Sequence, residues 1–386
     1  MVSVSSAVPK LPDGKIDIGQ WSQRLIQGHE RLQREPLQDA ATWLSGYGDS
    51  LLLQSLELAE MVAELRLDQS AVLAAMTYPG LRRSLFDEDG LQQRVGDQAA
   101  RLCVSVATLA TSSLLEVSDT PMLGGEENRQ VENIKRMMVS LIQDFRVAVI
   151  KLAERVQALR YAKDYDEARQ QRIAREAASV FAPLANRMGM WQLKWELEDL
   201  SLRYLREDIY LGIAKQLKRR RQEREAQVAE LVEVIQGQLA KAGITARVKG
   251  RAKNIFSIWR KMQSKGIALE DVHDVRAVRI VVDDLASCYA SLGIIHSTWS
   301  HVPSEFDDYI AVPKENGYQS IHTAITFDDG RSLEVQIRTR EMHENAELGV
   351  CAHWAYKEGT DEPDASGYAE KMGWLRQVID WHETLD

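Results

Sequence analysis

Between about residue 21 and residue 202, apolar side chains recur three and four positions apart, the spacing that gathers them on one face of a helix. Residues 51–65 show it. So do residues 131–160, through Ile134, Met137, Met138, Leu141, Ile142, Phe145, Val149 and Leu152. Gly124 and Gly125 mark a loop ahead of that longer helix. Residues 191–205 read as a connecting helix and residues 213–240 as another. After Gly243 the period changes. Residues 244–249 alternate as a strand, 255–263 as a helix, 275–282 as a strand and 288–299 as a helix. Strands around 321–327 and 333–338 follow, then a polar joint at 360–367 and a last helix at 368–385. The pattern predicts an all-helical region followed by a mixed α+β region, without internal repeats.

Composition narrows this picture. With 386 residues, 45% hydrophobic and 27% charged, the chain has room for two domains with ordinary cores. No apolar run is long enough for a membrane helix, and residues 1–10 lack the apolar core of a signal peptide. Cys103, Cys288 and Cys351 lie far apart with no Cys-x-x-Cys pair, which suits a reducing cytoplasm and argues against a cysteine zinc site. A net charge of −9 argues against a nucleic-acid coat, so any phosphate binding needs a local basic patch. The run Lys218, Arg219, Arg220, Arg221 reads as a solvated helix face or as an RNA contact.

The richest stretch is 305–322, which combines acids, Lys314, the turn-forming Asn316-Gly317, Tyr318 and His322. That mixture suits a nucleotide: ammonium for phosphate, ring for base, amide and imidazole for orientation. Residues 249–261 hold five cations and no acid. Gly250 is expected to open a turn, with Arg251 and Lys253 before a helix whose N–H groups and dipole favour anions. Ser257 and Lys261, four apart, share a face of that helix. A solvated amphipathic helix would read the same way. Asp274 heads an apolar strand, as a turn residue or as a Mg²⁺ ligand beside phosphates. In strand 333–338, alternation sends Leu333, Val335 and Ile337 to the core and Glu334, Gln336 and Arg338 outward together.

Some classes are excluded. There is neither a Gly-x-x-x-x-Gly-Lys-[Ser/Thr] nor a Gly-x-Gly-x-x-Gly motif. Of eight histidines only His29 precedes His273, so the helical half cannot build a multi-histidine metal site. Around Cys351 no base and orienting group are visible for a thiol nucleophile.

These residues resemble the long RelA/SpoT homologues, the synthetases and hydrolases of guanosine tetra- and pentaphosphate alarmones. The resemblance runs from about residue 45 to 385. It rests on five segments in the right order: 250–262, 274–279, 316–322, 334–339 and 353–357. It implies an all-α, degenerate HD-type hydrolase-like domain over residues 1–195 and connecting helices over 196–240. An α+β nucleotidyltransferase-like synthetase domain with a mixed sheet would span 241–360, and a linker and helix 361–386. Active hydrolase members carry a histidine at the place of Gln54, and His-Asp then Glu-Asp at the places of Tyr78-Pro79 and Arg82-Arg83. Their Leu-Ala-Asp-Arg-Leu-His-Asn-Met-Arg run is 152–160 here, with Glu154 and Ala158 among the changed positions. The resemblance therefore implies an inactive hydrolase. Acidic Glu305, Asp307 and Asp308, where bifunctional members are basic, mark the synthesis-only branch, with altered metal and guanine-nucleotide preference.

The implied reaction moves pyrophosphate from ATP to the 3′-hydroxyl of GTP or GDP, with AMP leaving. By the same resemblance ATP would meet Arg251, Lys253, Ser257, Lys261 and Arg279. Asp274 and Glu334 would hold Mg²⁺, with Glu334 also taking the hydroxyl proton. Tyr318 would stack on guanine, and Lys314, Asn316, His322, Gln336 and His353 would hold the acceptor nucleotide. The implied partners are the two nucleotides and the (p)ppGpp product, the latter also as a candidate allosteric ligand. A C-terminal half absent from this chain would bring the ribosome and uncharged tRNA. No membrane partner is expected. A non-catalytic sensor of the same nucleotides is the alternative left open.

Overall fold

The structure, a computed structural model, describes residues 8–111, 144–219, 221–269, 276–327 and 332–352. The chain divides into two compact units, residues 8–187 with 351–352 in one and Met188–Val350 in the other.

Among the described residues the first unit is helical. It holds α1 (Ile18–Gln27), α2 (Arg34–Ser45), α3 (Asp49–Glu64), α4 (Gln69–Arg82), α5 (Glu88–Val95) and α6 (Asp97–Thr111). After residues 112–143 come α7 (Phe145–Tyr161), α8 (Glu167–Glu176) and α9 (Ala182–Arg187). Helix α3 packs on α4, α4 on α6, and α7 on both α3 and α6. Leu51, Leu52, Leu56 and Leu58 are fully buried, as the helical spacing demands. Aspartates cap several helix starts; the Asp68 and Asp166 side chains accept from Ala71 N and Arg169 N. The helix predicted over 131–160 is interrupted at Asp144, which lies in extended backbone and caps α7 by accepting from Arg146 N. The rest of that predicted helix, and the one over 368–385, lie outside the described residues.

The second unit opens with α10 (Trp191–Leu205), α11 (Glu207–Arg219) and α12 (Arg221–Lys241). The helix predicted over 213–240 falls within α11 and α12, and residue 220 between them lies outside the described residues. Then follow β1 (Ala246–Ala252), α13 (Ile255–Lys265), β2 (Arg276–Val282) and α14 (Leu285–Thr298). The short strands β3 (Ser300–His301) and β4 (Asp307–Asp308), then β5 (Ile321–Thr326), β6 (Ser332–Thr339) and α15 (Arg340–Leu348), complete it.

The sheet runs β1-β2-β6-β5-β3, with β4 also on β5. Only the β2–β6 pairing is parallel, so the sheet is mixed. One face forms the core: Val278, Ile280, Val282, Ile321, Leu333, Val335 and Ile337 pack with Ile235 and Leu239 of α12 and Cys288 and Ile295 of α14. Gly250 does not open a turn. It sits inside β1 opposite Val278, where a Cβ would press on Val228 of α12. The glycine permits a close helix–strand approach there. Among the described residues no helix is long and apolar enough to cross a membrane.

Candidate active site

The other sheet face carries polar side chains in register. Lys249 lies opposite Arg279, Arg279 beside Gln336, Gln336 opposite His322, and His322 opposite Asp307. Alternation places Arg251, Glu334 and Arg338 on this same face, two positions along their strands. The face is not a solvated exterior, as outward alternation alone would suggest. Gln336 and Arg338 are 3% and 1% exposed. Helix α10 contributes cover: the Arg251 guanidinium stacks 4.0 Å over the Trp195 ring, and Trp191 meets Tyr318 edge-on at 5.3 Å.

Burial favours partnered polar atoms, and the bonds made here fix the orientations, although Arg279 Nε and Arg338 Nε make no hydrogen bond. Arg251 Nη1 and Arg338 Nη2 both donate to Gln336 Oε1, at 3.0 and 2.9 Å. The Gln336 amide nitrogen must then point the other way, and it donates to Glu334 Oε1 at 2.9 Å. Arg338 Nη2 also donates to the Tyr318 hydroxyl at 2.7 Å. That hydroxyl is left to donate its own proton to His322 Nε2, 2.8 Å away. Burial, followed by Arg338, Lys314 and Arg251, pushes His322 down to about 3, so the ring is neutral at physiological pH. A neutral ring accepting at Nε2 carries its proton on Nδ1, which faces Glu334 Oε1 at 3.5 Å. Glu334 Oε2 lies 3.8 Å from the Lys253 ammonium. The carboxylate is oriented from one side and open on the other.

The loop over 314–318 is shaped by a turn. Gly317 N donates to Lys314 O at 2.8 Å and Lys314 N to Tyr318 O at 3.2 Å, with Gly317 at a φ of +73°. Asn316 supports the turn by accepting from Tyr318 N through its side chain. The Lys314 ammonium comes to rest 4.1 Å from the Tyr309 ring centroid, and burial lowers its pKa.

The acidic triplet separates into three roles. Glu305 bridges Lys261, at 3.3 Å, and Lys265, at 2.7 Å, on α13. Asp307 faces His322 in the polar row. Asp308 shapes the chain locally, accepting from Ile310 N, Ala311 N and the Tyr289 hydroxyl. The start of α13 is not an open anion site. Asp199 of α10 accepts from Phe256 N at 2.7 Å and Ile255 N at 3.3 Å, so two of its N–H groups already hold a carboxylate. Ser257 and Lys261 do share α13, four residues apart. Asp274 and His353 lie outside the described residues.

Four participants had no assigned role in the sequence reading. Arg338 was visible in the alternating strand, yet its link between Gln336 and Tyr318 needs the fold. Glu347 of α15 pairs with Arg279 at 2.9 Å and accepts from Gln192. Burial raises the Glu347 carboxyl, but Arg279, Gln192 and His343 outweigh it and hold it below the usual range. Trp191 and Trp195, one turn apart, were a local signal that something flat is stacked nearby.

In the first unit, the altered hydrolase positions form a different cluster. Glu154 receives Arg82 Nη1 at 2.9 Å, Lys151 Nζ at 2.9 Å and Arg155 Nε at 2.7 Å. Burial pushes its carboxyl up, but Arg155, Lys151 and Arg82 overcome this and hold it far below the usual range. Arg155 also reaches Glu176 at 2.8 Å. Arg83 donates to the Gln54 side chain, and Gln157 to the Gln54 carbonyl. Tyr78 is buried beneath Lys151, Pro79 lies within α4, and Ala158 is on α7.

Arg251, Arg279, Arg338 and Lys249 on this face, against Glu334, Asp307 and the neighbouring Glu347, leave one positive charge in surplus. Two family profiles match the chain. Residues 250–361 fit the one described as a region found in RelA / SpoT proteins, and residues 35–191 the one described as an HD domain. The chain belongs to the RelA/SpoT family. It is 44% identical over 355 residues to the GTP pyrophosphokinase of Escherichia coli (strain K12), spanning 90% of this chain and 47% of that protein. It is 36% identical over 334 residues to the guanosine-3′,5′-bis(diphosphate) 3′-pyrophosphohydrolase of Aquifex aeolicus (strain VF5), spanning 86% and 46%. The chain thus spans about half the length of these relatives. Among solved structures, the small alarmone synthetase 1 from Bacillus subtilis bound to its product pppGpp matches 44% of this chain and 95% of its own. Identity there is 23% and the TM-score 0.31.

Proposed function

We propose that the chain is a GTP pyrophosphokinase that makes (p)ppGpp from ATP and GTP or GDP. The observation that carries this is the Glu334 carboxylate, fixed by Gln336 on one side and open on the other, within a field of guanidiniums. In the reaction the 3′-oxygen of the guanosine nucleotide attacks the β-phosphorus of ATP. The bond from that phosphorus to the α,β-bridging oxygen breaks, AMP leaves, and the hydroxyl proton passes to Glu334. Such a transfer depends on alignment and charge neutralisation more than on covalent chemistry.

Arg251, Lys253, Ser257, Lys261 and Arg279 are assigned to the ATP phosphates. Tyr318 is assigned to the guanine base, and Lys314, Asn316, His322, Gln336 and His353 to the acceptor nucleotide. For a triphosphate to engage Arg279 and Lys261, it must compete with Glu347 and Glu305. The open Glu334 oxygen is a hard ligand suited to Mg²⁺, with Asp274 as its proposed companion. When bound, Mg²⁺ would neutralise charge on the transferring phosphates.

The first unit is proposed to be inactive as a hydrolase, because Arg82, Lys151 and Arg155 take up the Glu154 carboxylate. Cytoplasmic location and contact with ribosome and uncharged tRNA through a further C-terminal region belong to the same reading. The test is incubation with Mg²⁺, ATP labelled at the β- or γ-position and GTP or GDP, with products resolved by anion exchange. Labelled alarmone and AMP support the reading; nucleotide binding without product would favour the sensor.

A further inference from the structure

Helix α10 touches four parts of the polar face. Trp195 stacks on Arg251, Trp191 meets Tyr318, Gln192 donates to Glu347, and Asp199 holds the start of α13. The last contact is the least expected. A helix start leaves N–H groups that need partners, and Asn254, at the cap position, supplies no side-chain bond. The partner comes instead from Asp199, far away in sequence. Ser257 follows Phe256 directly, and Lys261 lies one turn further on.

A carboxylate is a costly choice at this place. Burial pushes Asp199 up to about 6 even though Phe256 N and Ile255 N stabilise its ionised form. The other polar groups facing it are Glu198, whose charge opposes ionisation, Asn254, and Tyr210 of α11. A neutral acceptor would cap the helix at lower cost to stability.

We propose that Asp199 is a positioning residue of the donor-nucleotide subsite: by holding the first turn of α13, it sets where Ser257 and Lys261 meet the ATP phosphates. This rests on the assignment of α13 to ATP made above. The Asp199 carboxylate occupies the place an anion would take at the helix start, so donor phosphates are met by side chains there.

The test uses Asp199→Ala and Asp199→Asn in this chain. Four quantities are measured: KM for ATP, KM for GTP, affinity for a non-hydrolysable ATP analogue with Mg²⁺, and melting temperature at pH 8. Asp199→Ala is expected to weaken ATP and analogue about tenfold or more, with KM for GTP within about twofold. Asp199→Asn keeps an acceptor, so it should recover part of the ATP affinity while melting at or above the wild type. Stability and ATP affinity moving in opposite directions is a signature an ordinary cap does not give. Unchanged analogue affinity in a folded Asp199→Ala protein overturns the proposal. So does an equal rise in both KM values that follows a lowered melting temperature. If the wild type makes no alarmone, the pyrophosphokinase reading fails, and analogue affinity alone still decides the role of Asp199.

Discussion

Glu154 in the first unit and Glu334 in the second both sit among cations, but their lone pairs are used differently. Glu154 is met by Arg82, Lys151 and Arg155, all within 2.9 Å, and little of it is left for a metal or a proton. Glu334 is held by one neutral amide at 2.9 Å, with Lys253 and the neutral His322 standing back at 3.8 and 3.5 Å. A carboxylate saturated by guanidinium and ammonium is a structural counter-ion. One that is oriented and left partly open can still accept something. Identical side chains thus stand in different settings, separated by the number of direct cation contacts.

The contrast can be broken experimentally. Glu334→Gln removes the charge and the proton acceptor, and synthesis should fall by about a thousandfold or more in the labelled-ATP assay. Glu154→Gln should instead act on stability, since it leaves Lys151 buried without its anion and Arg155 with Glu176 alone. A loss of about 3–5 kcal/mol in denaturant unfolding is expected, with synthesis below the melt changed only a few-fold.

His322 gives a pH test. Its folded-state pKa, about 3, lies below the ordinary 6.5. The unfolded chain therefore binds the proton first, and stability falls as pH drops from about 6.5 toward 3. The slope is at most about 1.4 kcal/mol per pH unit for this group. Melting curves of the wild type and His322→Gln between pH 7 and 4 should converge as pH falls. Parallel curves would mean that His322 binds its proton equally in the folded and unfolded chains. Tyr318→Phe removes the hydroxyl that joins Arg338 to His322 and should cost roughly tenfold in kcat/KM. Smallest of all, Arg83→Ala removes an exposed contact to Gln54 and should shift stability by about 0.5 kcal/mol or less.

Period alone separated the helical half from the α+β half, because helix and strand spacing depend on local geometry. Alternation also placed Glu334, Gln336 and Arg338 on one face correctly. What it lacked was the cover: nothing in 332–339 reveals that Trp195 lies over Arg251, or that this face is buried. The start of α13 misled for a similar reason. Its sequence offers cations and free N–H groups, but the carboxylate that takes two of them comes from a different helix. In the sequence Gly250 reads as a turn because a glycine before a helix usually is one, whereas in the fold the absent side chain accommodates Val228. Non-local contacts decided each case.

The position of β6 in the sheet also bears on how the molecule is born. This strand comes last among the described strands yet lies between β2 and β5. As the polypeptide emerges from its N-terminal end, β1 and β2 must wait with an unpaired edge until β6 arrives. Glu334, Gln336 and Arg338 arrive with it. A chain that stops short of β6 cannot assemble the polar row. A chain cut before residue 332 keeps its basic strand but exposes a bare sheet edge, and its expected fate is aggregation.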